Sequence, residues 1–274
     1  MYLRRFWMNW KPVNRGSCVM NIFEAIFSRR SVRKYVMEPL ETELLDKIRK
    51  MIDNLSVLDS SCKVEFSIFE NLGKKSQAKG LLKADAPYYL IVYCEDTPSA
   101  YRNAGYAAEQ LVLYLITKEI GTCYLGSAKI GPREKNGLKQ FLVISFGRAE
   151  GTLYRDMEEA HRLPLASLCT YKDEPGEYLK KILKAARMAP SSLNGQPWRF
   201  IVYADRVYVF MRKDVFPQPK LLISMRQFDM GIMLCHIMLA AEEFWMNMET
   251  MTEEQYAKKN YKNGEYICTL VFNS

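Results

Sequence analysis

The sequence predicts an α+β protein built from two diverged copies of one helix-and-strand unit. Helical and strand patterns alternate along the chain, and after an irregular polar stretch at 150–175 the same order starts again. Short matches mark the repeat: KIRK at 47–50 corresponds to KILK at 181–184, and NAG at 103–105 corresponds to DMG at 229–231. The alternative is a chance likeness between amphipathic helices. Two copies of one unit in a chain often pack as an internal pseudo-dimer.

In the first copy, the apolar residues after Asn21 have helical spacing, and Pro39 separates this helix from a second, amphipathic helix. An alternating segment then predicts a half-buried strand, and a continuous apolar run after Pro87 predicts a fully buried one. A mostly apolar helix ends at Gly121, and a last apolar strand stops at Gly147. The predicted elements are helices at 21–28, 41–52 and 103–119 and strands at 64–69, 88–93 and 142–146.

The second copy begins with an amphipathic helix after Pro175 and continues with two short strands that follow Trp198. A long apolar helix and a final apolar strand complete it. We therefore divide the chain into an N-terminal half, 20–170, and a C-terminal half, 171–274. The predicted elements of the second copy are helices at 177–188 and 229–245 and strands at 199–203, 207–211 and 266–272.

Residues 1–19 precede the first predicted helix and contain four basic residues and no acidic one. They lack a continuous apolar run, so they do not resemble a signal peptide. We expect them to be either a disordered extension or the result of a misassigned start. The intact mass of the native protein tests whether they belong to it.

Composition limits the function classes. The 274-residue chain has 49% apolar residues and a net charge of 39 − 31 = +8, which excludes a disordered or collagen-like protein. Half of that charge lies in residues 1–19, so we expect no nucleic-acid partner. Seven cysteines without a CxxC pair and only two histidines predict no metal site. Reduced thiols favour a cytoplasmic location, and no uninterrupted apolar run reaches the roughly 18 residues of a membrane span.

The first candidate site motif is RRSVR at 29–33, which follows a short helix. Three guanidinium groups and a hydroxyl within five residues can converge on a phosphate, because guanidinium forks match phosphate oxygens. The alternative is a solvated basic turn. As a turn residue, Arg29 should tolerate replacement by alanine without unfolding of the protein.

Two further motifs contain turn residues. PSSLNGQPWRF at 190–200 places two hydroxyls and an amide on a turn stiffened by prolines, which can present donors and acceptors to a planar heterocycle. The alternative is a rigid connector with Trp198 in the core. IGTCYLGS at 120–127 contains two glycines that let backbone amides approach a flat ligand, or that simply end a helix. HRLPL at 161–165 is by itself only a basic loop.

Together, these motifs resemble those of the FMN-dependent nitroreductase family. In ordinary members, two intertwined subunits bind FMN at their interface, and the PSSxN turn comes from the other subunit. Here the motifs are divided: 29–33, 121–126 and Arg162 stand in the N-terminal half, and 190–198 stands in the C-terminal half. The first half has no such turn at 55–61. The chain therefore resembles the single-chain tandem subgroup, with a nitroreductase-like fold whose two intertwined halves complete one site as an internal pseudo-dimer.

The resemblance implies a role for each matching residue of the N-terminal half. Phosphate contacts are implied for Arg29, Arg30 and Ser31, and also for Arg162 near the end of that half. Arg33, with Lys83 as its partner, matches the cation at the pyrimidine edge of the flavin. The backbone amide of Leu125 matches the donor to flavin N5, and Gly126 lets the ring lie close. The C-terminal half lends the turn residues Pro190, Ser191, Ser192 and Asn194.

The resemblance also implies the activity. Non-covalent FMN would take a hydride from NADH or NADPH and then reduce a small electron-poor acceptor, such as a nitroaromatic or a quinone, in ping-pong order. No catalytic side chain is then required beyond the flavin contacts. The alternative is an FMN-binding module for flavin storage or redox sensing, without efficient turnover. Because an internal pseudo-dimer needs no second chain, we expect a monomer.

Overall fold

The structure is a computed structural model that describes residues 20–72, 84–214, 216–262 and 264–273. Its contacts group the chain into two compact units. Unit 1 contains the described residues up to Asp96 together with Ala107–Met157, and unit 2 contains Thr97–Tyr106 and the residues from Glu158 onwards. The division drawn from sequence at residue 170 stays a prediction. The expected disorder of residues 1–19 falls outside the described residues.

Unit 1 is organised around one antiparallel sheet with the strand order β1-β2-β5-β3. The short strand β4 pairs with the first two residues of β5. The third helix begins in unit 2 and continues into unit 1. The helices and strands up to the end of unit 1 are α1 (Ile22–Ser28), α2 (Thr42–Asp53), β1 (Val64–Glu70), β2 (Tyr88–Cys94), α3 (Pro98–Thr117), β3 (Ile120–Leu125), β4 (Glu134–Lys135) and β5 (Leu138–Arg148).

Unit 2 is organised around a second sheet with the order β6-β7-β8-β10-β9, in which β6 is parallel to β7 and the other pairs are antiparallel. Short 3₁₀ helices occur at Met157–Glu159 and Ser192–Asn194. The remaining elements are α4 (Leu165–Leu168), β6 (Cys169–Tyr171), α5 (Glu177–Arg187), β7 (Trp198–Val202), β8 (Arg206–Arg212), α6 (Lys220–Glu243), β9 (Asn247–Met251), α7 (Glu254–Ala257) and β10 (Gly264–Asn273).

Local sequence explains the elements that were predicted correctly. Helix α1 begins with a capping box, in which Asn21 accepts the amide of Glu24 and the Glu24 carboxylate accepts the amide of Asn21. The apolar run of β2 is buried along its whole length, because this strand is flanked by β1 and β5 in the sheet. The α+β class and the fully buried strand after Pro87 are therefore confirmed.

The prediction that a helix ends at Gly121 is wrong. Helix α3 stops at Thr117, and Glu119 takes a left-handed backbone with φ of 64°. Residues 120–125 instead form β3, which pairs antiparallel with β5. Strand β5 starts at Leu138, four residues before its predicted start, since its first part pairs with β4. The pairing of β3 with β5 is long-range, and no local periodicity reports it. The pairing of β4 with β5 is instead a local hairpin through Asn136 and Gly137, which the sequence analysis did not predict.

Strand β6 was not predicted, because three residues are too short to show a pattern. It spans the predicted boundary between the two halves at residue 170. The structure places it in unit 2, where Cys169 pairs with Phe200 of β7. The four-residue helices α4 and α7 were missed for the same reason. The edge strand β9 was missed because its five residues are mostly polar and exposed.

Helix α6 starts at Lys220, nine residues before the predicted start, directly after Pro219. By length and composition it could cross a membrane, with a mean hydropathy of 1.2 over its most apolar stretch. However, 72% of that stretch is buried inside the protein. The apolar side chains of α6 are therefore mostly part of the protein core.

Helix α6 crosses the first turns of α3 within unit 2, and glycine allows the two backbones to approach closely. A Cβ atom on Gly105 would lie 2.0 Å from the carbonyl oxygen of Phe228, and one on Gly231 would lie 2.0 Å from that of Arg102. Each glycine thus faces the residue three positions before the other glycine. Both belong to the matched triplets of the sequence repeat, and they have equivalent environments.

Candidate functional site

The segment 29–33 follows α1 and runs beside β3 in unit 1. Ser31 forms a parallel bridge with Thr122, and Arg29 forms an antiparallel bridge with Tyr154. The amide of Val32 donates to the carbonyl of Thr122 at 2.9 Å. This packing requires glycine at position 121, because a Cβ atom there would lie 2.8 Å from the side chain of Val32. The glycine motif thus permits close contact with the basic motif.

Arg29 is the unusual member of this segment because its side chain is only 1% exposed. Its Nε and Nη2 atoms are buried and have no hydrogen-bond partner, and no ion pair engages it in the described part of the chain. The hydroxyl of Thr122, in the strand beside it, is also buried without a partner. A buried unpaired cation is costly unless an anion joins it. The two Arg29 nitrogen atoms are therefore available to a negatively charged group.

The other predicted residues of unit 1 differ in exposure. Arg30 and Arg33 are exposed, whereas Ser31 is half-buried. Burial raises the pKa of the Cys123 thiol, while the charges of Arg33 and Arg29 and a hydrogen bond with Ser31 act in the opposite direction. These contacts place Arg29, Ser31 and Arg33 around one short stretch of β3.

The end of β3 contains the predicted flavin N5 donor. Leu125 is 2% exposed and lies opposite Val143 of β5, and the half-buried Gly126 begins the turn that follows. The predicted residue Lys83 lies outside the described residues. The alternative interpretation of 29–33 as a solvated basic turn does not hold for Arg29, because this residue is buried and its backbone forms a bridge with Tyr154.

In unit 2, the turn at 190–197 joins α5 to β7, as predicted. Three of its non-glycine residues have left-handed backbones: Leu193 (φ 51°), Asn194 (φ 55°) and Gln196 (φ 44°). Asparagine tolerates this conformation, but leucine and glutamine do so at a cost, and such strain clusters at functional sites. Trp198 is fully buried, so the interpretation that it packs in the core is confirmed.

Side chains hold this turn in place. Ser191 accepts the amide of Gln196 at 3.0 Å through its hydroxyl, and Gln196 accepts the amide of Leu163 at 2.8 Å. Arg162 donates to the side-chain oxygen of Asn194 at 2.8 Å, and the Asn194 amide donates to the carbonyl of His161 at 2.7 Å. The structure thus brings together two residues that the sequence predicted for one site, Arg162 and Asn194. Pro190 and Ser192 are half-buried in the same turn.

Asp229 also holds the turn, and the sequence analysis gave it no role beyond marking the repeat. Both of its carboxylate oxygens lie within 3.0–3.1 Å of the amide of Ser192, and its side chain is buried in α6. Burial raises its pKa to about 8, against smaller opposing effects of the Ser192 amide and Arg226. An acidic residue within an apolar helical run was the signal that could have revealed it.

The raised pKa of Asp229 predicts a pH-dependent stability. Between the unfolded pKa of about 4 and the folded pKa of about 8, the folded state binds the extra proton, so its stability falls as pH rises. This contribution is at most about 1.4 kcal/mol per pH unit. Asp229→Asn keeps an oxygen for the Ser192 amide and removes the titration, so it should stabilise the protein more at pH 8 than at pH 5.

Urea unfolding at both pH values measures this difference. Asp53→Asn is the matched control, because Asp53 is an exposed carboxylate on α2. An equal effect of Asp229→Asn at the two pH values would contradict a titrating buried acid at this position.

The cysteines and possible metal ligands were compared only within the described residues. Their six cysteines form no disulfide, and within these ranges no group of three or more potential metal-ligating side chains was found. Burial raises the pKa of Cys94 to about 12 and that of Cys169 to about 11, so these thiols remain protonated and unreactive near neutral pH.

Several solved structures are similar to this chain. A putative nitroreductase of Thermotoga maritima MSB8 is 23% identical, with a TM-score of 0.62 over 97% of this chain and 100% of that one, so the two share a fold. A nitroreductase family protein of Clostridium difficile 630 is 16% identical, with a TM-score of 0.47 over 57% of this chain and 100% of that one. An FMN-dependent nitroreductase of C. difficile R20291 is 17% identical, with a TM-score of 0.39 over 50% of this chain and 93% of that one.

No curated protein sequence matches this chain significantly. The family described as "Putative TM nitroreductase" matches residues 21–241, which include all the motifs from 29–33 to 190–200. The chain thus belongs to the nitroreductase family.

Proposed function

We propose that this protein is an FMN-dependent oxidoreductase. One observation carries the proposal: the buried guanidinium of Arg29 has two unpartnered nitrogen atoms, and the hydroxyl of Thr122, which pairs with Ser31 of the same segment, is also unpartnered. A phosphate monoester supplies the negative charge and the acceptor oxygens that these donors lack. Membership in the nitroreductase family supports an oxidoreductase that uses such a cofactor.

The residues of this chain would hold FMN in distinct ways. Arg29, Arg30 and Ser31 bind the phosphate, and the exposed cation of Arg33 lies at the pyrimidine edge, with Lys83 as its predicted partner. Leu125 offers its backbone amide to N5, and Gly126 keeps that surface open. The strained turn adds Pro190, Ser191, Ser192 and Asn194, and Arg162 is oriented by Asn194.

Bound FMN would supply the redox chemistry, which is hydride transfer from NADH or NADPH followed by reduction of a small acceptor such as a nitroaromatic or quinone, in ping-pong order. The protein contributes binding, orientation and charge. A cation near N1 and O2 favours the anionic reduced form of the flavin, because it offsets the negative charge that forms there. We further propose a cytoplasmic location and a monomeric state. Sedimentation of the purified protein tests the monomeric state.

The first test is the visible spectrum of freshly purified protein, followed by NADH and NADPH additions without oxygen. We expect oxidised-flavin bands that bleach with at least one donor and return when menadione or a nitrofuran is added. Flavin bands that do not bleach would favour storage or redox sensing. Protein that retains no flavin after refolding with excess FMN would contradict the proposal.

A further inference from the structure

A second candidate site lies on the partly exposed face of the sheet in unit 2. A cavity of about 450 Å³ is bordered there by α4, β6, β7 and β8. Side chains alternate along a strand, so Arg199 of β7 shares this face with Phe210 and Arg212 of β8. Arg199 lies directly opposite Phe210, and Arg212 follows two positions later on the same face. The two guanidinium groups are thus diagonal neighbours.

The cavity has an uncompensated positive charge. Its described lining contains the cations Arg199, Arg212 and Lys262 and no carboxylate. Burial lowers the pKa of Arg199, and the nearby charges of Arg212 and Arg226 lower it further. Arg226 forms an ion pair with Asp214, which engages that acid outside the cavity. Like charges are therefore crowded on one side of the cavity without an acidic partner.

The guanidinium of Arg199 is held in place yet keeps free donors. Its Nη1 donates to the carbonyls of Gln196 at 3.0 Å and Trp198 at 2.6 Å. No hydrogen bond in the described part of the chain uses its Nε or Nη2, and the side chain of Arg212 makes none there. A fixed arginine with unused donors, beside a second arginine, suits an oxyanion with several acceptor oxygens.

The rest of the lining is apolar or weakly polar. Phe210 packs edge-to-face against Tyr261 with ring centroids 5.0 Å apart, and Ile201 lies beside them in the cavity wall. Thr170 and Ser167 add hydroxyl groups. This wall suits a flat apolar body, and aromatic rings pack favourably on such surfaces. The cavity is within the size range of small-molecule sites.

We propose that this cavity binds a small aromatic molecule carrying a phosphate group, of the chemical class of a nucleoside monophosphate. The phosphate lies against Arg199 and Arg212, and the ring lies against Phe210 and Tyr261. The site is separate in its residues from those proposed for FMN, so its occupancy does not depend on the proposed redox function.

Calorimetric titration with AMP tests this site, at a constant ionic strength of about 0.1 M because exposed charges are screened by salt. We expect saturable binding to the parent and at least about tenfold weaker binding to Arg212→Gln, the loss of one charge-assisted contact. The Arg212 side chain makes no hydrogen bond in the described part of the chain, so its replacement should leave folding unchanged, which a urea unfolding curve checks. Arg206→Gln is the matched control, since Arg206 is on the same strand but outside the cavity and pairs with Asp205.

Several outcomes would overturn the proposal. AMP binding that does not saturate, or equal affinities of Arg212→Gln and Arg206→Gln, would show that the cavity is not the site. Inorganic phosphate binding as tightly as AMP would remove the aromatic component. AMP binding that is lost in Arg29→Met would place AMP at the proposed flavin phosphate site instead, whereas retained binding there supports a separate site.

Discussion

Gly231→Ala is expected to destabilise the protein by more than about 4 kcal/mol, an effect that occurs only through a few severe mechanisms such as overpacking. The new Cβ would lie 2.0 Å from the carbonyl oxygen of Arg102 and 2.8 Å from the amide nitrogen of Tyr106. Both are backbone atoms, so no side-chain rotation relieves the contact. Helix α6 and the start of α3 must separate, and the packing along the buried face of α6 is lost.

The direction of the effect makes this prediction specific. Alanine is a better helix former than glycine by about 1 kcal/mol, so an isolated helix would gain stability from the same substitution. Gly105→Ala should be as harmful as Gly231→Ala, because it meets Phe228 at the equivalent distance. Once the helices have moved apart, the second Cβ costs little. The double variant should therefore lose less stability than the sum of the single variants.

Urea unfolding followed by circular dichroism measures these differences. Gly264→Ala is the matched control, since its Cβ would lie 3.5 Å from the nearest atom, the carbonyl oxygen of Met211, an ordinary contact. If Gly231→Ala is as stable as Gly264→Ala, the two helices do not cross at the glycines.

The crossing also illustrates what the sequence could predict. The matched triplets at 103–105 and 229–231 identified a repeat, but a sequence repeat does not say that its two copies touch each other. Their mutual contact depends on the course of α3 and α6, which is set by tertiary packing. The tandem pseudo-dimer itself stays a prediction, although equivalent environments at the two glycines are compatible with it.

Elements with strong local patterns were predictable. The buried run of β2 and the amphipathic helices α2 and α5 are within one or two residues of their predicted bounds. Strands β3 and β6 were missed because they depend on pairing with β5 and β7, far away in the sequence. Local periodicity reports which residues are apolar, but it does not report the partner strand.

The candidate site shows the same limit. Motifs identified the basic segment and the polar turn, because unusual combinations of residues can be recognised directly in the sequence. The burial of Arg29 was not predictable, and neither was the hydrogen bond from the Ser192 amide to the Asp229 carboxylate. Both depend on elements that are distant in sequence. The hydrogen bond between Arg162 and Asn194 was likewise not predictable from local sequence, although the motifs assigned both residues to one site.

Arg29→Met is expected to weaken FMN binding by about two orders of magnitude or more without destabilising the protein free of ligand. Each lost charged hydrogen bond contributes roughly 1.5–3 kcal/mol, and Arg29 has two unused donor nitrogens. In the absence of an anion, the buried guanidinium of Arg29 has no compensating partner in the described part of the chain. Methionine has a similar length and no charge, so it removes that penalty and fills the space. Alanine would instead leave a cavity at a side chain that is 1% exposed.

The comparison needs two readouts, the FMN dissociation constant and the urea unfolding free energy of the flavin-free protein. Lys34→Met is the matched control, because Lys34 is an exposed cation in the same segment. Inorganic phosphate should raise the stability of the flavin-free parent more than that of Arg29→Met, since only the parent binds the anion at Arg29. Equal FMN affinities of Arg29→Met and Lys34→Met would show that the phosphate binds elsewhere. A large stability loss in Arg29→Met, with FMN affinity retained, would make Arg29 a structural residue of the β3 packing instead.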